Sequence, residues 1–210
     1  MSTVDFSQLL PPSLITELSY EAIFTKRKES FISLYDASEQ QAVRELLQRE
    51  SEPVVKLLQE NAYLEMLYQA KCNADARSLL LAYAEKSDLD HLALTEYGLT
   101  RLVVTPADNT VIPPVEAIYE SDERLRERCI LSFDGMNTAG SANAYRYFAL
   151  SADGRVDGIK VKSDEATPCF LDIVITQVDS ENGEASEELI QIVQAALDPD
   201  TVRPVSDRPT

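Results

Sequence analysis

The sequence predicts an α+β protein, with an all-helical N-terminal half followed by a small α+β domain with a short sheet. Apolar residues recur at helical spacing over residues 17–99. Beyond them, alternating apolar residues predict strands over 158–162 and 169–177. We therefore divide the chain into an N-terminal arm and helical bundle region, 1–105, and an α+β domain, 106–210, that we expect to continue past the end of this sequence.

The central helix of the first half is predicted to start at Pro53, whose missing N–H loses no bond in a first helical turn. Ser51 is the predicted N-cap. The apolar stripe that follows is wider than one neighbour normally covers, and it comprises Val54, Leu57, Leu58, Ala62, Leu64, Leu67 and Tyr68. Such a helix is either central in its own domain or shared with other chains, and both interpretations stay open.

The other helices of the first half are predicted from residues that cap or interrupt helices. Residues 1–20 are predicted to form an arm, since Leu9-Leu10-Pro11-Pro12 breaks any helix. A helix is predicted over 17–35, interrupted by a basic turn at 26–28. Another runs from the N-cap Ser38 to Leu47.

After the central helix, the sequence indicates two more helical starts. Asn73 or Asp75 is expected to begin one helix, and Ser87 or Asp88 to begin another. Gly98 is a suitable left-handed terminator for the last of them.

In the second half, turn signals separate short elements. Residues 107–114 contain Pro113-Pro114 and have the composition of a linker. Asn182-Gly183 predicts a turn, and 202–205 leads into a further strand. Ser121 is predicted to start one helix, Ser141 to cap another, and Ser186 to begin an amphipathic helix that runs to Leu197.

Composition excludes several classes of function. A net charge of −17 and a pI of about 4.4 argue against binding to a nucleic-acid backbone. The three cysteines are widely spaced and indicate reduced thiols in a cytoplasmic protein. No apolar run approaches the ~18 residues of a membrane span, and the N-terminus has no signal-peptide pattern. We therefore predict neither a nucleic-acid nor a membrane partner.

The sequence predicts no catalytic residue, no metal site and no cofactor. Ser87, Asp90 and His91 could be imagined as a nucleophile relay, but neighbours on a helix do not converge on one reacting atom. Asp88 and Asp90 lack the glycine and the bidentate Glu of an EF-hand loop. A hydrolase using Asp88, Asp90 and His91 is kept as a competing hypothesis, and an acidic cytoplasmic adaptor or helical interaction module as another.

Several phrases of the chain resemble one family. The most extended is Glu50-Ser51-Glu52-Pro53, followed by Lys56-Leu57-Leu58-Gln59-Glu60-Asn61-Ala62-Tyr63. Further phrases follow in order at 73–77, 80–84, 88–93, 105–108, 112–114, 120–126, 138–141, 144–145, 151–156 and 202–207. Together they resemble the baseplate J-like proteins of contractile-tailed bacteriophages and R-type pyocins. One departure is Lys86, which stands where we expect a glycine.

The resemblance implies a structural baseplate wedge protein without enzymatic activity, located in the virion tail baseplate or a tailocin particle and assembled in the host bacterial cytoplasm. Its implied partners are a second copy of itself, the neighbouring I-type baseplate protein, and other baseplate and sheath proteins. Helices of two J-type copies and one I-type copy would form a bundle, while the α+β domains link wedges into a ring round the hub and relay the contraction trigger. The predicted partner-helix interface is Val54, Leu57, Leu58, Asn61, Leu64, Leu67 and Tyr68.

Overall fold

The chain folds as two compact units in a computed structural model. The residues that the structure describes are Pro12, 17–136, 140–163, 169–204 and 206–210. One unit contains the helices up to Tyr83, and the other runs from Ala84 to Thr210. The predicted arm, 1–20, lies mostly outside the described residues.

The helical unit contains α1 (Tyr20–Ile32), α2 (Gln40–Leu46) and α3 (Pro53–Ser78). The start of α3 at Pro53 is confirmed. The caps predicted at Ser38 and Ser51 are wrong, because Glu39 and Glu52 precede the two helices and neither makes a side-chain cap bond. The basic turn is also wrong, since α1 continues without a break through 26–28.

α3 is longer than its sequence predicts. The helix start expected at Asn73 or Asp75 is wrong, because the backbone stays helical through both residues and ends only at Ser78. A residue that can cap a helix does so only where the backbone leaves the helical conformation. The result is one continuous helix of 26 residues, about 39 Å long at 1.5 Å per residue.

The second unit combines helices with two small sheets. Its elements are α4 (Lys86–Tyr97), β1 (Val103–Thr105), β2 (Ile118–Tyr119), α5 (Asp122–Leu131), a 3₁₀ turn (Asp134–Met136), α6 (Ala142–Ala152), β3 (Val156–Ser163), β4 (Phe170–Gln177), α7 (Glu187–Leu197) and β5 (Arg208–Pro209). α4 ends as predicted at Gly98, which has φ +66°, and the N–H of Leu99 donates to the carbonyl of Ala93 at 3.0 Å.

The units meet at a different point in the chain from the boundary predicted at 105/106. α4 packs against α5 and belongs with the second unit, so the observed boundary follows Tyr83. The segment predicted as a linker, 107–114, lies in the connection between the paired strands β1 and β2. Proline pairs are typical of tight loops as well as of linkers, and the pairing of the flanking strands decides between the two.

The helix starts predicted at Ser121, Ser141 and Ser186 are confirmed, whereas the start predicted at Ser87 or Asp88 is wrong, because Glu85 precedes α4 and the helix begins at Lys86. Ser121 accepts a hydrogen bond from the N–H of Arg124 at 3.3 Å, and Ser141 accepts one from Ala144 at 3.1 Å. Ser186 caps α7 in the same way. Each bond satisfies an N–H group that the first helical turn leaves unpaired.

The larger sheet has the strand order β3-β4-β5. β3 and β4 are antiparallel, with Ile159 opposite Ile175, and β5 lies parallel to β4. A core of buried residues from α6, α7 and the sheet includes Tyr145, Val156 and Leu189. These observations confirm the predicted fold class, α+β with its helices concentrated in the first half.

The cysteines differ in accessibility. Cys72 and Cys169 are exposed, whereas Cys129 is buried in α5 and burial raises its pKa to about 11. Because the thiolate is the reactive form, we expect native protein at pH 8 to consume two equivalents of a thiol reagent rapidly. The third should react only after unfolding. Rapid reaction of all three in native protein would contradict the burial of Cys129.

The structure shows the backbone conformation of Lys86, the residue that stands where the resemblance leads us to expect a glycine. It has a φ of +49° at the start of α4, a left-handed conformation in which a side chain is strained, and its N–H donates to Asp122 Oδ2 at 2.9 Å. Lys86→Gly is therefore expected to raise the free energy of unfolding by about 1 kcal/mol. Lys86→Ala, which keeps the Cβ, is the control and should give no comparable gain in a urea titration.

Candidate functional site: an exposed apolar face of the long helix

One side of α3 belongs to the core of the helical unit. Val55 and Leu58 are buried in a cluster with Ile32 of α1 and Leu47, which follows α2. Arg27 of α1 and Glu65 of α3 form an ion pair at 2.6 Å on this side. Surface pairs of this kind contribute at most about 1 kcal/mol, so the apolar cluster determines how α3 is held.

The other side of α3 exposes large apolar residues. The exposed fractions are 56% for Leu57, 54% for Leu64 and 69% for Tyr68. Four of the predicted interface residues, these three and Asn61, have the spacing i, i+4, i+7 and i+11, which places them in one stripe along the helix. Contiguous apolar surface of this kind marks interaction sites in soluble proteins.

The seven residues predicted for the partner interface therefore divide between two environments. Val54 and Leu58 pack within the core of the helical unit, so these two contribute to holding α3 in place. Five are exposed, namely Leu57, Asn61, Leu64, Leu67 and Tyr68. Tyr63, half exposed on the same helix, extends the surface beyond the predicted set. We call Leu57, Asn61, Leu64 and Tyr68 the α3 stripe.

The α3 stripe carries no charge at neutral pH. Its one ionisable group is the Tyr68 hydroxyl, whose pKa is raised above its ordinary value, first by a hydrogen bond with Cys72. The hydroxyl is therefore protonated. A neutral stripe with one amide, that of Asn61, suits an apolar helix as partner better than a charged ligand.

A second feature, in the α+β unit, was missed by the sequence analysis. The carboxylate of Glu120 is fully buried between Arg124 and Arg128. It accepts a hydrogen bond from the N–H of Leu102 at 2.9 Å and forms a short ion pair with Arg128. Burial lowers the pKa of Arg124, and Glu120 only partly offsets this. The signal available in the sequence was the i, i+4, i+8 spacing of the three residues.

Arg124 and Arg128 also hold neighbouring segments. The Arg124 guanidinium donates to the carbonyls of Leu150, Asp153 and Gly154, near the end of α6, at 2.9–3.2 Å. Arg128 donates to the carbonyl of Thr100 at 3.1 Å. These bonds tie α5 to the end of α6 and to the residue that follows Leu99.

Asp90 and His91, two residues of the competing hydrolase hypothesis, lie in different environments. The carboxylate of Asp90 accepts a hydrogen bond from Arg101 at 2.7 Å, and Arg101 also binds Asp122 at 2.6 Å. Burial opposes ionisation of Asp122, but the Lys86 N–H and the Arg101 guanidinium outweigh it and lower its pKa. His91 is exposed on α4. Asp90 therefore serves an ion-pair network that ties α4 to α5.

No group of three or more His, Cys, Asp and Glu side chains suited to a metal ion occurs among the residues with described positions. An apolar cavity of about 360 Å³ lies between β4 and α7, and Glu184 has the only ionisable side chain among the described residues that line it. Within the described ranges, no helix has both the length and the apolar character needed to cross a membrane.

Comparison with known proteins identifies the class of protein. The family model of the baseplate J-like N-terminal domain matches residues 50–108, which include all of α3 and all of α4. Baseplate protein J of Escherichia phage P2 is 44% identical over 210 residues, which are all of this chain and 68% of that protein. These matches define the class as structural proteins of a phage tail baseplate. Within that class, the chain belongs to the baseplate J family.

This membership confirms the resemblance drawn from the sequence phrases. It also overturns the alternative of an acidic adaptor unrelated to phage tails. As a member of a baseplate family, the chain interacts with other baseplate proteins and is located in the tail baseplate.

Proposed function

We propose that this chain is a baseplate wedge protein that links wedges into a ring round the tail hub and relays the contraction trigger. The observation that carries the proposal is the α3 stripe, an exposed apolar surface within the part of the chain that matches the baseplate J-like family model. Fully burying a leucine stabilises an association by about 1.5–3 kcal/mol, so covering Leu57 and Leu64, each half exposed, contributes roughly 1 kcal/mol apiece.

The proposed partners at this surface are a second copy of the chain and the neighbouring I-type baseplate protein. Two partners fit the width of the surface, because Tyr63 and Leu67 flank the α3 stripe on one side and are themselves 50% and 46% exposed. A helix that meets several neighbours needs an apolar surface wider than a single seam. The α+β unit would contact adjacent wedges and other baseplate and sheath proteins.

The relay would operate by a change of packing. Helix interfaces have discrete arrangements, so a ring joined by α3 can shift from one packing to another when the host is contacted. The buried network around Glu120 would keep the α+β unit rigid during that shift. Assembly would take place in the host cytoplasm, in a phage or a tailocin particle.

We propose further that the chain catalyses no reaction and binds no nucleic acid. Asp90 is committed to Arg101, and His91 lies on the surface of α4. The net charge of −17 repels a phosphate backbone. His91→Ala is expected to leave particle assembly and contraction unchanged, and a lost turnover activity in a correctly folded variant would favour the hydrolase hypothesis.

The test of the proposed function is the mass of the purified chain, alone and mixed with the neighbouring I-type gene product. A complex that contains both proteins is expected in the mixture. The exposed α3 stripe predicts that this complex excludes an apolar dye that the isolated chain binds. Two proteins that remain separate at micromolar concentration, with dye binding unchanged, would contradict the proposal.

A further inference from the structure

The larger sheet has an open stretch at the edge where β5 lies. The pairing of β5 with β4 reaches as far as Thr210, whose N–H donates to the carbonyl of Leu171 and whose carbonyl accepts from the N–H of Ile173, each at 2.9 Å. Backbone groups of alternate residues point to the same edge of a sheet, so the carbonyl of Ile173 and the N–H of Ile175 point there too. Among the described residues, the Ile175 N–H has no acceptor at this edge.

The open stretch is short, because the edge of β4 is occupied again further along. The N–H of Gln177 donates to the carbonyl of Gly183 at 3.1 Å. One acceptor and one donor therefore lie between two occupied positions, and we call this pair, the Ile173 carbonyl and the Ile175 N–H, the β4 gap. A parallel strand fills the β4 gap when the second residue past Thr210 donates to the first group and accepts from the second.

The apolar cavity between β4 and α7 lies beside the β4 gap. Both elements and the end of β5 contribute to its lining, which includes Ile173, Ile175, Ile190, Val193, Leu197 and Pro209. Leu171 lies beside Pro209 in the parallel register, so the first and third residues past Thr210 would lie beside Ile173 and Ile175. Neighbours in adjacent strands point to the same face of a sheet. Both side chains would therefore enter the cavity.

We propose that the protein continues past Thr210, that its next three residues extend β5 along β4, and that the first and third of these fill the cavity with apolar side chains. The 210 residues of this chain correspond to 68% of baseplate protein J of phage P2, so about a third of that relative lies outside the match. The attachment is independent of the wedge function. It joins the polypeptide beyond Thr210 to the α+β unit without a flexible linker.

The chain's own continuation suits the β4 gap better than a separate molecule does. The backbone at Thr210 is already paired and in register with β4, so the next residues reach the gap without a further loop-closure cost. A small-molecule pocket orients its ligand with a few precisely placed polar groups. The polar residues among the described lining, namely Glu184, Gln194 and Thr210, are all exposed, and none is buried to hold a ligand.

Amide hydrogen exchange followed by NMR tests the pairing. The product of the complete reading frame is compared with a chain that ends at Thr210. The Ile175 N–H is expected to exchange at least a hundredfold more slowly in the longer protein, because only there does it have an acceptor. The Ile173 N–H, which already donates to Thr210, is the matched control and should be protected in both. Equal exchange at Ile175 in the two proteins would overturn the pairing.

Benzene tests whether the cavity is filled, since an apolar cavity that stays open binds it. We expect benzene to shift the methyl resonances of Val193 and Leu197 in the chain that ends at Thr210 and to leave them unchanged in the longer protein. Shifts of equal size in both would show that the cavity stays open and would overturn its filling.

The remaining outcomes also decide the proposal. A stop codon directly after Thr210, or charged residues at the first and third positions past it, would overturn it. Slow exchange at Ile175 that appears in the shorter chain only as its concentration rises would assign the β4 gap to a second copy instead. If the shorter chain does not fold, the longer protein decides alone, and exchange at Ile175 that is a hundredfold faster than at Ile173 would contradict the extension of β5.

Discussion

Replacing Glu120 with alanine is expected to lower the free energy of unfolding of the α+β unit by about 3–5 kcal/mol. The carboxylate is fully buried, and its removal leaves Arg124 and Arg128 without their counter-charge. An unpaired buried charge is far more costly than a lost surface pair. The Leu102 N–H would also lose its acceptor.

Glu123→Ala is the matched control for this prediction. Glu123 lies on the first turn of α5, the helix that carries Arg124 and Arg128, but is exposed, so its removal should cost less than about 1 kcal/mol. Urea unfolding followed by circular dichroism gives both values. Equal losses for the two variants would show that the buried network does not stabilise this unit.

The elements of the second unit could be predicted from local sequence because their boundaries carry local signals. Ser121, Ser141 and Ser186 each precede an amphipathic segment, and the hydroxyl of each accepts a hydrogen bond from an N–H of the first helical turn. Gly98 has the positive φ that its place after α4 requires. In these cases the local preference and the tertiary structure agree.

The predictions that failed depended on residues far apart in the chain. Asn73 and Asp75 have the composition of a helix start, yet α3 continues through them to Ser78. The segment 107–114 has the composition of a linker, but Val103 before it pairs with Tyr119 after it, so the segment connects two paired strands. Sequence periodicity reports which residues suit a helix or strand, whereas pairing between distant segments decides how those elements are joined.

For the candidate site, too, local sequence predicted some features, while others depended on contacts between distant segments. Periodicity identified an apolar stripe too wide for one neighbour, and α3 indeed has apolar residues on opposite sides. Periodicity alone could not show that Leu58 packs within the chain while Leu57 is exposed, because the position of α1 determines which of these leucines is buried. The Glu120 network was missed since charged residues on a helix are mostly solvated.

Replacing Leu57 and Leu64 together with aspartate is expected to abolish wedge assembly while leaving the chain folded. Both side chains are more than half exposed, so the isolated chain should lose little stability. In the proposed complex, two carboxylates would be buried against an apolar helix without partners, which disfavours binding by several kcal/mol. We expect at least a hundredfold weaker association in a titration with the neighbouring baseplate protein, and particles that fail to assemble.

Leu58→Asp separates this interpretation from a purely intramolecular role for the stripe. Leu58 is adjacent to Leu57 but only 8% exposed, in contact with the α1 side of the unit. Its replacement is expected to unfold the helical unit, which circular dichroism detects as lost helix. If the Leu57→Asp/Leu64→Asp chain were equally unfolded, the stripe would belong to the chain's own core. If that variant stayed folded and its particles contracted normally, the stripe would have no role in assembly.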